Sequence, residues 1–291
     1  MKLATIRLGG RSRVAIVLGD VVRPLPSPPG GPASMLELIA EPDRWLPILQ
    51  DGPSVDDMAI ADINFEPPLR PTNIIAVGLN YADHAHESNM AIPTEPLVFA
   101  KLTGSVIGHG QTIVWDPSLT SEVDIEAELA VVIGRTARNV DRATALGYVF
   151  GYTCLNDVSA RDLQFQDGQW VRAKSLDTFC PIGPWIVTAD EMPDLTVLRV
   201  EGVVSGETLQ SAVTGDMIFG VAELIARLSR SFTFRPGDII ATGTPPGAGY
   251  FREPRRLLRD GDAVTVRIEG IGELSNPVAS RAGTQGPSLT T

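Results

Sequence analysis

The stretch DIEAELAVVIG, residues 124–134, constrains the fold of this chain more than any other. It opens with acidic and apolar residues in alternation and ends in an unbroken apolar run. Alternation marks a strand with two unlike faces, and a continuous apolar run marks a strand covered on both. The sequence therefore predicts one long strand whose second half lies inside a sheet. Glu126 and Glu128 stand two apart on it, so their side chains share a face. Two carboxylates side by side repel, and burial raises the cost. A divalent cation resolves this conflict, and so do solvent-facing positions at the strand's outer end.

Around this strand the chain reads as strand-rich. LATIRL, RVAIVL and VVRPL form a meander of short strands over the first residues, and Ser34 with Glu37 fits a capping box opening a helix that Pro42 limits. EPPLRPTN, residues 66–73, is the expected linker. Beyond it, residues 74–80 and the run LGYVFGYTCLNDVS read as strands. VLRVEGVVSGETLQS reads as a hairpin turning at Ser205-Gly206. In DMIFGVAELIARLSR, Ile218, Val221, Ala222, Ile225 and Leu228 fall on one face at helical spacing. In DGDAVTVRIEG, Asp260-Gly261 is the turn and Val264, Val266 and Ile268 alternate. Strands in runs with few helices and no regular βαβ alternation give a mixed α/β chain, mainly β. The expected organisation is a small N-terminal α+β domain over 1–66, a larger strand-rich domain over 67–280 and a disordered tail over 281–291.

Composition narrows the function. A 43% apolar, 20% charged chain of 291 residues can bury a sizeable core. Its net charge of −11 argues against nucleic acid or an anionic membrane as partner, yet leaves room for a small anionic substrate beside a local cation. No apolar run approaches the roughly 20 residues of a membrane span, and Arg7, Arg11 and Arg13 interrupt the N-terminus before a signal peptide forms. Cys154 and Cys180 are too few for a disulfide framework or a cysteine zinc site, so a reduced, cytoplasmic setting is expected.

Asp157, in LNDVSARDLQ at a strand end, offers a third carboxylate to Glu126 and Glu128, or caps the turn that follows. An all-oxygen set favours Mg²⁺, Mn²⁺ or Ca²⁺ over Zn²⁺. His84 and Glu87 are three apart, the spacing of a base and its orienter on a helical turn, or of a polar surface turn. His86 competes for the same role. Arg161, Gln164 and Lys174 can clamp a carboxylate or an oxyanion, or sit as ordinary surface polarity. ATGTPPG lacks the Lys-Ser/Thr ending of a phosphate loop, but backbone N–H groups at Gly243 and Thr244 can meet an anion.

VGLNYADHAHE, DIEAELAVVIG, GYTCLNDVSARDLQ, WVRAKSLDTFCPIGPW, DMIFGVAELIARLS and PGDIIATGTPPG stand in one order over residues 70–278. That series closely resembles the fumarylacetoacetate hydrolase family. The resemblance implies a mixed β-sandwich or β-roll core, usually paired as a homodimer, with a short N-terminal accessory domain. It implies Mg²⁺ or Mn²⁺ on Glu126, Glu128 and Asp157, with Ca²⁺ possible in a crystal, and water activation by His84 with Glu87. It places Lys174, Arg161, Gln164, Gly243 and Thr244 around the substrate, with Lys101 at the F-x-K position. The implied substrate is a small anionic 2-oxo acid. Hydrolysis of a C–C bond in a 3-acylpyruvate is the first expectation because the His-Glu pair is intact. Oxaloacetate decarboxylation, 2-hydroxy-dienoate isomerisation and a non-catalytic metal-binding homologue are the alternatives. Retention of Lys174, Arg161 and Gln164 counts against the last.

Overall fold

The computed structural model describes residues 1–51 and 57–282, with side chains from 48 to 51 left aside. Its largest sheet runs, from edge to edge, through Met58–Ala59, Val21–Pro24, Arg11–Leu18, Lys2–Leu8, Cys180–Thr188, Val149–Asn156, Ala127–Ile133, Ile239–Ala241, Ile74–Gly78 and Leu97–Lys101. A five-stranded sheet of Glu207–Val213, Arg199–Val204, Ala263–Ile268, Gly272–Ser280 and Ile113–Trp115 packs near its centre. The mixed, mainly β architecture is thus as the sequence predicts. Among the described residues, no helix is long and apolar enough to cross a membrane.

The period-2 pattern of Ala127–Ile133 explains the layering. Leu129, Val131 and Ile133 enter the core shared with Val200, Val266 and Ile268 of the smaller sheet and with the helix Val221–Ser231. Ala130 and Val132 enter a second core, against Leu3, Ile16, Leu38 and Ile39 of the N-terminal segment. The strand is covered on both faces, and Glu128 falls in phase with Ala130 and Val132.

The N-terminal meander joins the main sheet directly, because Lys2 and Leu3 pair with Val187 and Ile186. In the first helix, Met35–Ala40, the Glu37 N–H donates to Ser34 Oγ at 3.2 Å. The Glu37 carboxylate reaches back to the Ala33 N–H at 2.8 Å rather than to that of Ser34, so the box closes one residue early. Ser205 and Gly206 turn the hairpin with φ of 47° and 87°, as expected for a two-residue loop.

Two expectations are corrected. The long strand from Asp124 is broken, pairing at Val123–Asp124 and again from Ala127. The break exists because Asn156 Oδ1 takes the Glu126 N–H, while the Glu126 carbonyl accepts from Asp157 N–H. The amphipathic helix begins at Val221, so Ile218 lies outside it, and its fully buried face is Val221, Leu224, Ile225 and Leu228. Ala222 only packs against that core from a half-buried position. Two strands not marked in the sequence, Cys180–Thr188 and Gly272–Ser280, run through Gly183-Pro184 and Pro277. Pro277 falls where pairing with Ala263–Ile268 ends and pairing with Ile113–Trp115 begins, at Val278. The expected tail falls, from residue 283 on, outside the described residues.

Candidate active site

Strand register brings the acids together. Ala127 pairs with Asn156, and Asp124 with Ser159, so the break at Ile125–Glu126 faces Asp157. One carboxylate oxygen from each of Glu126, Glu128 and Asp157 lies within 4.8 Å of the others, and all three residues are buried. Lys174, at the end of the short helix Val171–Lys174, donates to Glu126 Oε2 at 2.6 Å and to Asp157 Oδ2 at 3.0 Å. Lys101 also donates to Asp157 and to the Lys174 carbonyl. Arg161 donates through Nη1 to Glu126 Oε1 at 2.7 Å and to Gln164 Oε1 at 3.1 Å.

The charges in this cluster are unevenly matched. Burial pushes the Glu126 carboxyl up, but Lys174 and Arg161 overcome it and hold it down at about 2. Burial would lower the Lys174 ammonium, and Asp157 with Glu126 outweighs that and raises it. Among the described residues, Glu128 accepts one hydrogen bond, from the Gly243 N–H at 2.8 Å. Burial first, then the charges of Asp157 and Glu126, push its carboxyl well above the usual carboxylate range. A buried carboxylate set with one member short of positive charge fits a hard divalent cation, whose preferred donors are oxygens. Glu126, Glu128 and Asp157 could hold such an ion.

His84 lies in the helix Ala82–Glu87, and its Nδ1 meets Glu87 Oε1 at 2.7 Å. Glu87 Oε2 accepts the Gly247 N–H at 2.8 Å, which fixes the pair. His84 is buried, whereas the His86 side chain is 65% exposed, which separates the two competing histidines. A cavity of about 50 Å³ is lined by His84, Glu126, Arg161, Gln164, Lys174 and Thr244, with an apolar wall of Phe99, Trp170 and Phe251 among others.

Two expected substrate contacts turn inward instead. Lys101 is buried and outside the cavity lining, as a partner of Asp157. The Gly243 N–H is taken by Glu128 rather than left for a ligand. Gly243 itself is required, since φ is 97° and a Cβ would lie 2.7 Å from Asn80 Cβ. Thr244 Oγ1 donates to the Ala127 carbonyl at 3.0 Å and accepts from Gln210. Asp124, Gln210, Trp170 and Phe251 escaped sequence reading. For Asp124 a signal existed in its place two before Glu126, while the aromatic wall carries no local signature.

Ionisable groups buried together around one cavity mark an enzyme site rather than a packing solution. The class is that of small-molecule enzymes built on a mixed-β core around an acidic cluster. Residues 73–279 match the family model described as fumarylacetoacetate (FAA) hydrolase C-terminal, and the chain belongs to the fumarylacetoacetate hydrolase family. It is 41% identical to the oxaloacetate tautomerase of Bacillus subtilis strain 168 over 261 residues, 85% of this chain and 87% of that protein. The solved fumarylacetoacetate hydrolase of Exiguobacterium antarcticum superposes with a TM-score of 0.86 at 38% identity, covering 97% of this chain and 100% of that one. The maleylpyruvate hydrolase of Sphingobium sp. SYK-6, in complex with manganese(II) and pyruvate, gives a TM-score of 0.81 at 31% identity over 96% of this chain and 99% of that one.

Proposed function

We propose that this enzyme catalyses divalent-metal-dependent keto–enol chemistry on a small 2-oxo acid, with tautomerisation of an oxaloacetate-like substrate as the first reading. The observation that carries it is that Glu126, clustered with Glu128 and Asp157, and His84, held by Glu87, line one small cavity together. Sequence reading put C–C hydrolysis first. The relationship to an oxaloacetate tautomerase, at 41% identity over 85% of this chain, supports placing tautomerisation ahead of it.

Mg²⁺ or Mn²⁺ on Glu126, Glu128 and Asp157 would supply positive charge for the substrate's carboxylate and 2-oxo oxygens. Glu87 accepts at Nδ1, so the neutral ring carries its proton there and presents Nε2 as an acceptor. His84 then takes the enol O–H proton and returns one to the adjacent carbon, which balances the tautomerisation. Two of the three Lys174 N–H groups are engaged by carboxylates, leaving one to meet charge on the substrate. Gln164 Oε1 faces Arg161, which turns the amide NH₂ away from the guanidinium. Phe99, Trp170 and Phe251 exclude water from that side.

Hydrolysis of a 3-acylpyruvate is the second reading, favoured by the same His84–Glu87 pair, which can activate water. The reading includes assembly as a homodimer in the cytoplasm. The test is turnover of enol oxaloacetate, acetylpyruvate and fumarylpyruvate side by side with Mg²⁺ or Mn²⁺. Accelerated loss of enol absorbance without pyruvate release supports tautomerisation. Pyruvate with an equimolar carboxylic acid from the acylpyruvates moves the assignment to hydrolysis, and pyruvate with CO₂ from oxaloacetate moves it to decarboxylation. Inertness towards all three refutes the proposal.

A further inference from the structure

Asp124 lies outside the acidic trio, is fully buried, and accepts five hydrogen bonds. Arg161 Nε and Nη2 donate to its Oδ2 at 2.9 and 2.7 Å. Backbone N–H groups of Ile125 and Gly249 donate to Oδ1, each at 2.9 Å, and that of Tyr250 to Oδ2 at 3.1 Å. One carboxylate thus ties together two parts of the cavity wall that are far apart in sequence. The first is Arg161, which reaches on to Glu126 and Gln164. The second is the segment carrying Phe251, whose ring stands edge-on to His84 at 5.7 Å and under the Arg161 guanidinium at 5.2 Å. The segment is pressed onto the carboxylate so closely that a Cβ at Gly249 would lie 2.8 Å from Asp124 Oδ1.

We propose that Asp124 is a positioning residue for the substrate site, holding the guanidinium plane of Arg161 against Glu126 and the Phe251 ring against His84. Two donors from Arg161 to one carboxylate fix orientation as well as distance, which a single contact does not. Asp124 acts through Arg161 and touches no substrate. The proposal rests on the reading of the site given above.

The test uses the Mg²⁺-loaded protein and oxalate, a flat dianion shaped like the head of a 2-oxo acid, titrated by calorimetry. Asp124→Asn keeps the side-chain shape and an acceptor for Gly249 but turns an amide NH₂ towards Arg161. Loss of charge-assisted hydrogen bonds of this kind weakens binding by about 10- to 100-fold, and that weakening of oxalate is the expected result. Mn²⁺ affinity is expected to stay close to that of the unaltered protein. Arg161→Gln is expected to weaken oxalate similarly, and Asp124→Asn combined with Arg161→Gln to be no worse than Arg161→Gln alone. This comparison also serves if Asp124→Asn alone fails to fold, because the pair removes both charges. Unchanged oxalate affinity in Asp124→Asn, or multiplying losses in the pair, overturns the positioning role while the reading of the site stands. Failure of the unaltered protein to bind oxalate overturns both.

Discussion

Glu128→Gln separates the electrostatics of the acidic cluster from its chemistry. In the metal-free protein Glu128 is buried, takes one backbone N–H, and has two carboxylates for neighbours, so its carboxyl holds a proton well above the usual range. The unfolded chain releases that proton near 4.5. Above this value the folded state binds more protons than the unfolded one, so stability falls as pH rises for as long as the carboxyl stays protonated. The loss is about 1.4 kcal/mol per pH unit while that holds. For a chain of 291 residues, an unfolding entropy of about 0.6 kcal/mol/K turns each such unit into about 2 °C of Tm. Glutamine keeps the shape and the acceptor for Gly243 but has no proton to lose. Thermal melts with a chelator at pH 5, 6 and 7 should therefore show the Tm of Glu128→Gln rising relative to the unaltered protein by about that amount per such unit. Adding Mg²⁺ at pH 7 should reverse the order, because only the unaltered protein gains a ligated ion. Parallel pH profiles in chelator would refute the protonated, charge-short Glu128.

Metal binding should be accompanied by proton release at pH 5, read by calorimetry in buffers of different ionisation enthalpy; no release would contradict the raised Glu128 carboxyl. Asp157→Asn should weaken Mn²⁺ by at least about tenfold, measured by electron paramagnetic resonance, and an unchanged affinity would remove Asp157 from the ligand set. His84→Ala should lower turnover by about 10²–10⁴ with Mn²⁺ affinity retained, while His86→Ala leaves both alone; the reverse pattern would mean the other histidine is the base. Leu224→Ala should cost about 2–5 kcal/mol in urea unfolding, and a loss under about 1 kcal/mol would contradict the observed buried face of its helix.

Much of this molecule is local and therefore legible. The turn at Ser205-Gly206 follows from residues that tolerate positive φ, and the alternation of Val264, Val266 and Ile268 from the pleat. Glu87 meets His84 because residues three apart share a helical face. The start of the helix at Val221 is not legible because Met217–Phe219 is apolar too, and periodicity alone does not say where a helix starts. Strands holding Gly183-Pro184 and Pro277 were hidden because those residues ordinarily punctuate a chain.

Spacing along single short segments was enough to read the strand that carries Glu128, the His84–Glu87 pair and the residue types from which an ion site is made. Tertiary structure decided the rest. Register between Ala127 and Asn156 brought Asp157 to the glutamates, and packing turned Lys101 inward onto Asp157 and the Gly243 N–H onto Glu128. It placed Asp124 beneath Arg161 and left Glu128 the member short of positive charge. Such outcomes depend on which charges lose water together, a property of the packed chain rather than of any stretch of it.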